Sequence, residues 1–224
     1  MIDKSRLSTW AAAQAIYAFG EKLFSKHFSE CFRPTLLPNH KVLLGNSVVF
    51  TDKQFIQLIE RRFGFPSLTS CLLFPWQTVQ VLYGFWQIGL RFNSHACVSD
   101  APKLLYASLQ AICVYLNNHE HASKVFRDEK NGSLLVRVRE SGKGFYIFNH
   151  HEFGWTVSSA ITNTVSSATL EFQNEDVSIQ ASLGLIDSWA GITGGNIHLS
   201  GRIPMLDKFG YVARMVQREL PRPI

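Results

Sequence analysis

Near the end of the chain, the spacing of hydrophobic residues changes from the period of a strand to the period of a helix. Residues 196–200 alternate, with Ile197 and Leu199 on one side, which is typical of a half-buried strand. Gly201 and Pro204 end this strand, and apolar residues then recur at helical spacing. The helical stripe consists of Leu206, Phe209, Val212, Ala213, Val216 and Leu220. The pattern predicts a closing strand followed by an amphipathic helix that covers a sheet.

Further strand patterns precede this closing pair. Leu134, Val136 and Val138 alternate with Leu135, Arg137 and Arg139. The Ser-Gly-Lys-Gly turn at 141–144 joins this run to 145–148 as a hairpin. Two more strands are predicted at 155–157 and 168–172, and a helix at 177–190. Grouped strands with helices beside them predict an α+β region over 131–224, in which helices cover an antiparallel sheet of about five strands.

The first 130 residues have helical patterns instead. Helices are predicted over about 5–27, after the capping box of Thr51 and Gln54, and after Ser99 or Asp100. Residues 33–46, which contain two prolines and a glycine, are predicted to be loop. The predicted organisation is a helical region over 1–130 followed by the α+β region, and we expect the two to form one compact unit.

No charged residue occurs between Phe63 and Leu90. Although ~20 apolar residues suffice to cross a membrane, three glutamines and Pro75 argue against a transmembrane helix. The simpler interpretation is a buried helix that begins at Pro75. The alternative makes its aromatic residues the wall of a ligand cavity, or a surface that touches a membrane. The aromatic residues in question are Phe74, Trp76, Phe85 and Trp86.

The composition is that of a globular protein, with 224 residues of which 46% are hydrophobic and 17% charged. The net charge of +5 comes from scattered bases without a polybasic run, so no nucleic-acid partner is indicated. Weak attraction to anionic membrane surfaces is compatible with this charge. Four cysteines without a C-x-x-C pair, and an N-terminus without a secretory pattern, predict reduced thiols in a cytoplasmic protein.

Histidines are the candidates for catalysis. His119, His121, His150 and His151 lack a zinc-binding spacing, so neither a metal site nor a cofactor is expected. His150 or His151, with Glu152 beside them, could perform acid–base work on a small hydrophobic substrate. A cofactor-free isomerase, cyclase or hydrolase therefore stays open as an alternative, although the sequence leans towards a protein without catalysis.

Three segments of the C-terminal half follow a known pattern. They are the strand Ser167-Ala168-Thr169-Leu170, the helix around Leu183–Trp189, and the strand Gly195–Gly201, after which Phe209–Met215 starts the closing helix. In this order they resemble sterol carrier protein (non-specific lipid-transfer) domains, over about residues 130–220. The chain departs from that family in a longer link over Arg202–Asp207, which contains Pro204, and in its large helical N-terminal half.

The resemblance implies an apolar tunnel that holds a fatty-acyl chain, a sterol or a prenyl lipid, without a catalytic residue. Burial of one methylene contributes ~0.8 kcal/mol, so a long tail can be held without a polar contact. The expected lining residues, each of which also fits an ordinary core, are Phe145, Ile147, Trp155, Leu170, Phe172, Leu183, Ile186, Phe209, Val212 and Val216, with Trp76, Phe85 and Trp86 from the uncharged helix. A non-catalytic interaction or sensory subunit is the third alternative, in which 63–90 packs on a partner chain. A homodimer is also allowed.

Overall fold

The computed structural model describes residues 4–60, 64–93, 98–129, 131–150, 152–159 and 165–220. The chain divides into two compact units, an N-terminal unit up to residue 97 that also includes Leu220, and a C-terminal unit, Val98–Glu219. The boundary predicted at residue 130 marks the change from helical to strand patterns in the sequence, and it stays a prediction. The packing of the two predicted regions into one compact unit also stays a prediction. In the part of the chain that the structure describes, every helix is too short or too polar to cross a bilayer.

The N-terminal unit combines helices with a small sheet. Its elements are α1 (Lys4–Leu23), α2 (Lys26–Ser29), a 3₁₀ turn (Glu30–Phe32), β1 (Pro34–Leu37), β2 (Lys41–Leu44), β3 (Val48–Thr51), α3 (Asp52–Ile59), α4 (Leu68–Leu73) and α5 (Pro75–Asn93). The capping box predicted at the start of α3 is present, because Thr51 Oγ1 accepts from Gln54 N–H at 3.3 Å and Gln54 Oε1 accepts from Thr51 N–H at 3.0 Å. The helix predicted from Pro75 is also present as α5, but the prediction that it is buried is wrong, because Trp76 and Trp86 are exposed.

The loop predicted over 33–46 is wrong, because β1, β2 and β3 form an antiparallel sheet there. Val42 pairs with Phe50 and Leu44 with Val48, and all four side chains are buried. Of the residues interpreted as loop signals, Pro38 and Gly45 lie in the turns between the strands, whereas Pro34 is the first residue of β1. Gly45 has a φ of 58°, in the left-handed region that favours glycine.

Aromatic rings form the centre of the N-terminal core. Phe32, Phe50, Phe55 and Phe85 lie with neighbouring ring centroids 5.7 to 6.5 Å apart. Phe85 belongs to α5, so one side of this helix is anchored in the core.

The C-terminal unit has five strands and five helices among the residues described. Its elements are α6 (Ala101–Asn118), α7 (Glu120–Val125), β4 (Ser133–Val138), β5 (Gly144–His150), β6 (Gly154–Ser159), β7 (Ala168–Phe172), α8 (Glu175–Ser182), α9 (Ser188–Thr193), β8 (Ile197–Gly201) and α10 (Ile203–Glu219), with 3₁₀ turns at Val98–Asp100 and Arg127–Glu129. The predicted α+β class is thus confirmed. The single helix predicted over 177–190 is divided into α8 and α9, because Gly184 between them has a φ of 70°.

The sheet of this unit has the strand order β6-β5-β4-β7-β8. Neighbouring strands are antiparallel except for β4 and β7, which are parallel, so the sheet is mixed and not purely antiparallel. A residue pattern shows that a segment is a strand and which residues share a face, but it does not show the direction of a distant partner.

Candidate apolar binding site on the inner face of the sheet

One face of the five-stranded sheet is covered by helices and is called here the inner face. Leu134, Val136 and Val138 of β4 are buried on this face, whereas Arg137 between them is exposed. The pairing register brings every second residue of the other strands to the same face. These residues include Phe145, Ile147, Trp155, Ala168, Leu170, Phe172, Ile197 and Leu199. Helix α6 contacts β5 and β6, and helix α10 contacts β7 and β8.

The structure brings most of the predicted lining residues into this one layer. Seven of them are buried: Phe145, Ile147, Trp155 and Phe172 on the sheet, and Phe209, Val212 and Val216 on α10. Leu170, Leu183 and Ile186 are half-buried. The other three belong to the N-terminal unit, where Phe85 is part of the core and Trp76 and Trp86 are exposed. A ligand-binding role for any of them stays a prediction.

The deep part of the layer is packed with the protein's own side chains. Val212 exposes 0% and Ile147 1% of their surface. The ring of Tyr106 on α6 lies 5.3 Å from that of Phe145, and the ring of Phe126 lies 5.1 Å from that of Trp155. A cavity that admits water would leave accessible surface on the residues lining it, so a ligand needs a less completely covered part of the layer.

Such a part lies where β7 meets the edge strand β8. Leu170 and Leu199 are directly opposite each other on the inner face, and both are half-buried. Their neighbours on the same face, Phe172 and Ile197, are also paired but are buried. The sheet therefore presents two leucines that the helices cover only in part.

The segment from Leu183 to Thr193 packs on β8, the strand that carries Leu199. Its helix α9 contacts β8, and the tips of Ile186 and Ile197 both lie against Gly191. At the start of the segment, Gly184 lies against Gln217 of α10, and Gln217 Nε2 donates to the carbonyl oxygen of Ala181 in α8 at 2.8 Å. The segment also carries Leu185 and Trp189, which are largely exposed. We call Leu170, Leu199, Ile186, Leu185 and Trp189 together the edge patch.

Sequence reasoning did not select three members of the edge patch, Leu199, Leu185 and Trp189. Leu199 alternates with Ile197, so the strand pattern already placed it on the covered face. Helical spacing with Ile179 and Leu183 selected the half-buried Ile186 but not the exposed Leu185, and the structure breaks this helix at Gly184.

Charged groups near the sheet pair with each other outside the inner face. On the opposite face, Glu171 binds the guanidinium of Arg137 and that of Arg139, the latter at 3.1 Å. In the 3₁₀ turn that precedes β4, the buried carboxylate of Glu129 lies 3.1 Å from Arg202 and 2.9 Å from Lys208. Arg202 also lines a shallow depression with Arg127, Asp128, Asn131 and Gly132, whose polar lining does not suit an apolar ligand.

Of the predicted catalytic residues, His150 is the last residue of β5 and Glu152 lies in the turn that follows. His150 is exposed, its Nδ1 accepts the backbone N–H of Glu152 at 3.3 Å, and its ring lies 5.0 Å from that of Phe153. His151 lies outside the described residues. His119 is buried, and its Nδ1 accepts the N–H of Ala122 as the N-cap of α7. These contacts give His119 a structural role, and catalysis by His150, His151 and Glu152 stays a prediction.

No protein-family model and no curated protein sequence matches the chain. Among solved structures, it is similar to UbiJ-SCP2, a ubiquinone synthesis protein (14% identity, TM-score 0.39, covering 51% of this chain and 96% of that one). It is also similar to the sterol carrier protein domain 2 of Helicoverpa armigera (13%, 0.40, 51% and 89%). A third is a conserved hypothetical protein from Thermus thermophilus, described as possibly a sterol carrier protein (16%, 0.38, 53% and 90%).

The resemblance to sterol carrier protein domains is therefore confirmed for about half of the chain. Identities of 13–16% and TM-scores of 0.38–0.40 are too low to assign a ligand or an activity. The function must be argued from the residues of this chain.

Proposed function

We propose that the C-terminal unit binds a long apolar molecule, a fatty-acyl chain, a sterol or a prenyl lipid, on the inner face of its sheet. The observation that carries this proposal is the pair Leu170 and Leu199, which is half-buried beside the buried pair Phe172 and Ile197 on the same face. Partly covered leucines on the inner face of a sheet are an apolar surface on which a hydrocarbon tail gains burial.

The surroundings of the leucine pair favour an apolar ligand over a polar one. The inner face between β7 and β8 holds Ala168, Phe172 and Ile197 beside the two leucines. The nearest described carboxylate on these two strands, Glu171, lies on the opposite face and is neutralised by two arginines. Each methylene removed from water contributes ~0.8 kcal/mol, so a tail of eight carbons gains about 6 kcal/mol before the cost of ordering it.

The edge patch also suggests how such a ligand is taken up. Trp189 and Leu185 would contact the tail first, and the tail would then pass beneath the segment 183–193 to Leu199 and Leu170. Because Val212 and Ile147 beyond them are fully packed, deeper binding requires α10 to move away from the sheet. Reversible uptake and release by this route would make the protein a lipid carrier.

Native mass spectrometry of the purified protein, with analysis of its organic-solvent extract, tests the proposal. We expect a bound lipid, and we expect oleate, cholesterol or a polyprenyl alcohol to raise the melting temperature. Saturation at 100 times the dissociation constant adds ~2.7 kcal/mol to the free energy of unfolding. If no lipid is bound and no member of this panel changes the melting temperature, the proposal is wrong.

A pair of variants on one strand locates the site. Leu199→Gln removes an apolar side chain from the inner face, and His198→Gln changes the neighbouring residue, which is exposed on the opposite face. We expect Leu199→Gln to lose the bound lipid and the melting-temperature shift, and His198→Gln to keep both. Equal lipid binding by the two variants would contradict a site at β8, provided that circular dichroism shows both to be folded.

A further inference from the structure

The N-terminal unit has an exposed apolar surface on α4 and α5. Ten large apolar side chains between Phe65 and Leu90 are 40 to 81% exposed. In α4 these are Leu68, Leu72 and Leu73. With about 150–250 Å² for each aromatic side chain, the exposed apolar area is on the order of 1,000 Å². Large exposed apolar areas mark sites of interaction with a protein or a membrane, so α4 and α5 are candidates for such a site.

Helix α5 has two apolar stripes on opposite sides. Val81, Phe85 and Ile88 are buried in the core of the unit. Trp76, Val79, Tyr83, Trp86 and Leu90 recur at spacings of three and four residues and are exposed. Because the buried stripe fixes the helix against Phe32, Phe50 and Phe55, the outward direction of the exposed stripe is built into the fold. We call the exposed residues of α4 and α5 the α4–α5 surface.

The residues of the α4–α5 surface suit the interface of a lipid bilayer. No charged residue occurs from Gly64 to Leu90, so no ion has to lose its hydration when this surface leaves water. Trp76, Tyr83 and Trp86 are the residue types enriched where hydrocarbon meets headgroups, since their rings are apolar and their N–H and O–H groups can stay hydrated. The hydroxyl of Tyr83 accepts from Gln87 Nε2 at 2.9 Å, so a polar group already lies beside the rings.

The distribution of charge along the chain favours a membrane over a second copy of the protein as the partner of the α4–α5 surface. Residues 1–97 contain ten Lys and Arg and five Asp and Glu, a formal charge of +5 that equals the charge of the whole chain. Residues 98–224 contain twelve of each and are neutral. The part of the chain that carries the apolar surface is thus also the part that carries the net positive charge, which favours an anionic lipid surface. Two copies that met through this surface would bring like charges together.

We infer that the N-terminal unit docks on the surface of an anionic lipid bilayer through the α4–α5 surface, with α5 lying in the plane of the membrane. The opposite stripe of α5 stays in the protein core, so the helix penetrates the headgroup region without crossing the bilayer. The aromatic rings of Trp76, Tyr83 and Trp86 and the leucines of α4 supply apolar burial, and the basic residues of the same unit supply attraction to anionic headgroups.

Co-sedimentation with vesicles tests this inference. The full chain is mixed with vesicles of phosphatidylcholine alone or of phosphatidylcholine with phosphatidylserine, at low and at high salt. We expect binding to the vesicles that contain phosphatidylserine, weaker binding to phosphatidylcholine alone, and a decrease with salt. The double variant Trp76→Gln and Trp86→Gln should bind about tenfold less or weaker still, because the free energy of transfer scales with the apolar area inserted.

The control is Phe153→Gln, which replaces an exposed aromatic side chain of the C-terminal unit and should leave vesicle binding unchanged. Binding that is absent for both kinds of vesicle overturns the inference, and so does binding that the double variant retains. Light scattering adds a third outcome. A dimer that the double variant converts to a monomer, without vesicle binding by the wild type, would show that a second copy is the partner and would also overturn the inference.

Discussion

Gly84 of α5 lies directly against the ring of Phe32, so closely that a Cβ on Gly84 would stand 1.9 Å from Cζ of that ring. Phe32 is almost fully buried and also contacts the rings of Phe24, Phe28 and Phe85. The ring therefore has no free space into which it can move. The absence of a side chain at residue 84 is what allows α5 to approach the rest of the core.

Gly84→Ala is accordingly expected to destabilise the N-terminal unit, although alanine is the better helix former. Overpacking of a filled core costs about 1–3 kcal/mol, which exceeds the gain of up to ~1 kcal/mol in helix propensity. Gly20→Ala in α1 is the matched control, since its new Cβ would make an ordinary contact of 3.6 Å with Phe24. Urea denaturation should show a loss for the first variant and a gain for the second. Equal effects would contradict the packing described for Phe32.

Asn117 joins the end of α6 to the start of β6. Its Nδ2 donates to the carbonyl oxygen of Trp155 at 2.9 Å, and its Oδ1 accepts the N–H of Trp155 at 2.7 Å. Asn117→Asp loses the donor and places a carboxylate beside that carbonyl, so the free energy of unfolding should fall by about 1–2 kcal/mol. Asn118→Asp adds the same charge at the same helix end but loses only a bond within α6, to Val114. Chemical denaturation should rank Asn117→Asp as the less stable variant, and the reverse order would contradict this tertiary role.

The carboxylate of Glu129 is 1% exposed and connects the 3₁₀ turn before β4 to the start of α10 through Arg202 and Lys208. Glu129→Gln keeps the shape but leaves two cations without their counter-ion. The two cations are partly exposed and can turn to water, so the expected loss is about 1–2 kcal/mol, below the value for a fully buried pair. Glu120→Gln removes an exposed pair with Lys124 and should leave the denaturation midpoint unchanged. An unchanged midpoint for both would mean that the buried carboxylate does not stabilise the fold.

The buried thiol of Cys113 makes stability depend on alkaline pH. Burial raises the pKa of this thiol far above its ordinary value of 9.0. The folded state therefore keeps the proton at pH values where the unfolded state has released it, and stability falls as pH rises above about 9. Burial and the proximity of Glu219 also raise the pKa of Tyr115, which acts in the same direction at higher pH. The fall is at most about 1.4 kcal/mol per pH unit for each proton.

Denaturation of wild type and Cys113→Ala across this pH range measures the effect. The alanine variant starts from a lower stability because it loses buried volume, but its stability should decline less steeply with pH. Parallel curves for the two proteins would show that another group is responsible. Alkylation gives an independent check, since Cys113 should react only after unfolding, whereas Cys31 and Cys71 are half-buried and should react earlier.

Local patterns predicted those parts of the fold that local contacts determine. The hairpin of β4 and β5 follows from the alternation of Leu134 and Val136 together with the turn at 141–144. The alternation of Val42 and Leu44 has the same meaning but was outweighed by the prolines and glycine around it. The parallel pairing of β4 with β7 depends on a contact between distant segments, so no short window of sequence contains it.

In the candidate site, too, some features follow from the local sequence and others depend on contacts between distant segments. The face shared by Leu170 and Phe172 follows from the strand period, but only the position of α10 and of the segment 183–193 decides that the leucine stays partly uncovered. Likewise, Trp76 and Phe85 are both large aromatic residues, and the sequence does not show which of them packs in the phenylalanine cluster. The two apolar stripes of α5 predict that both sides of the helix are covered. They do not show which side packs on the rest of the chain and which side stays free for a partner.

The central position of β4 has a consequence during synthesis. One edge of β4 is satisfied by β5, which leaves the ribosome directly afterwards, but the other edge waits for β7. In the interval, Leu134, Val136 and Val138 belong to a nascent strand with one row of unpaired backbone groups, the kind of edge that associates with strands of other chains. A fragment that stops before Ala168 should therefore aggregate, and chaperone dependence should disappear once β7 has been translated.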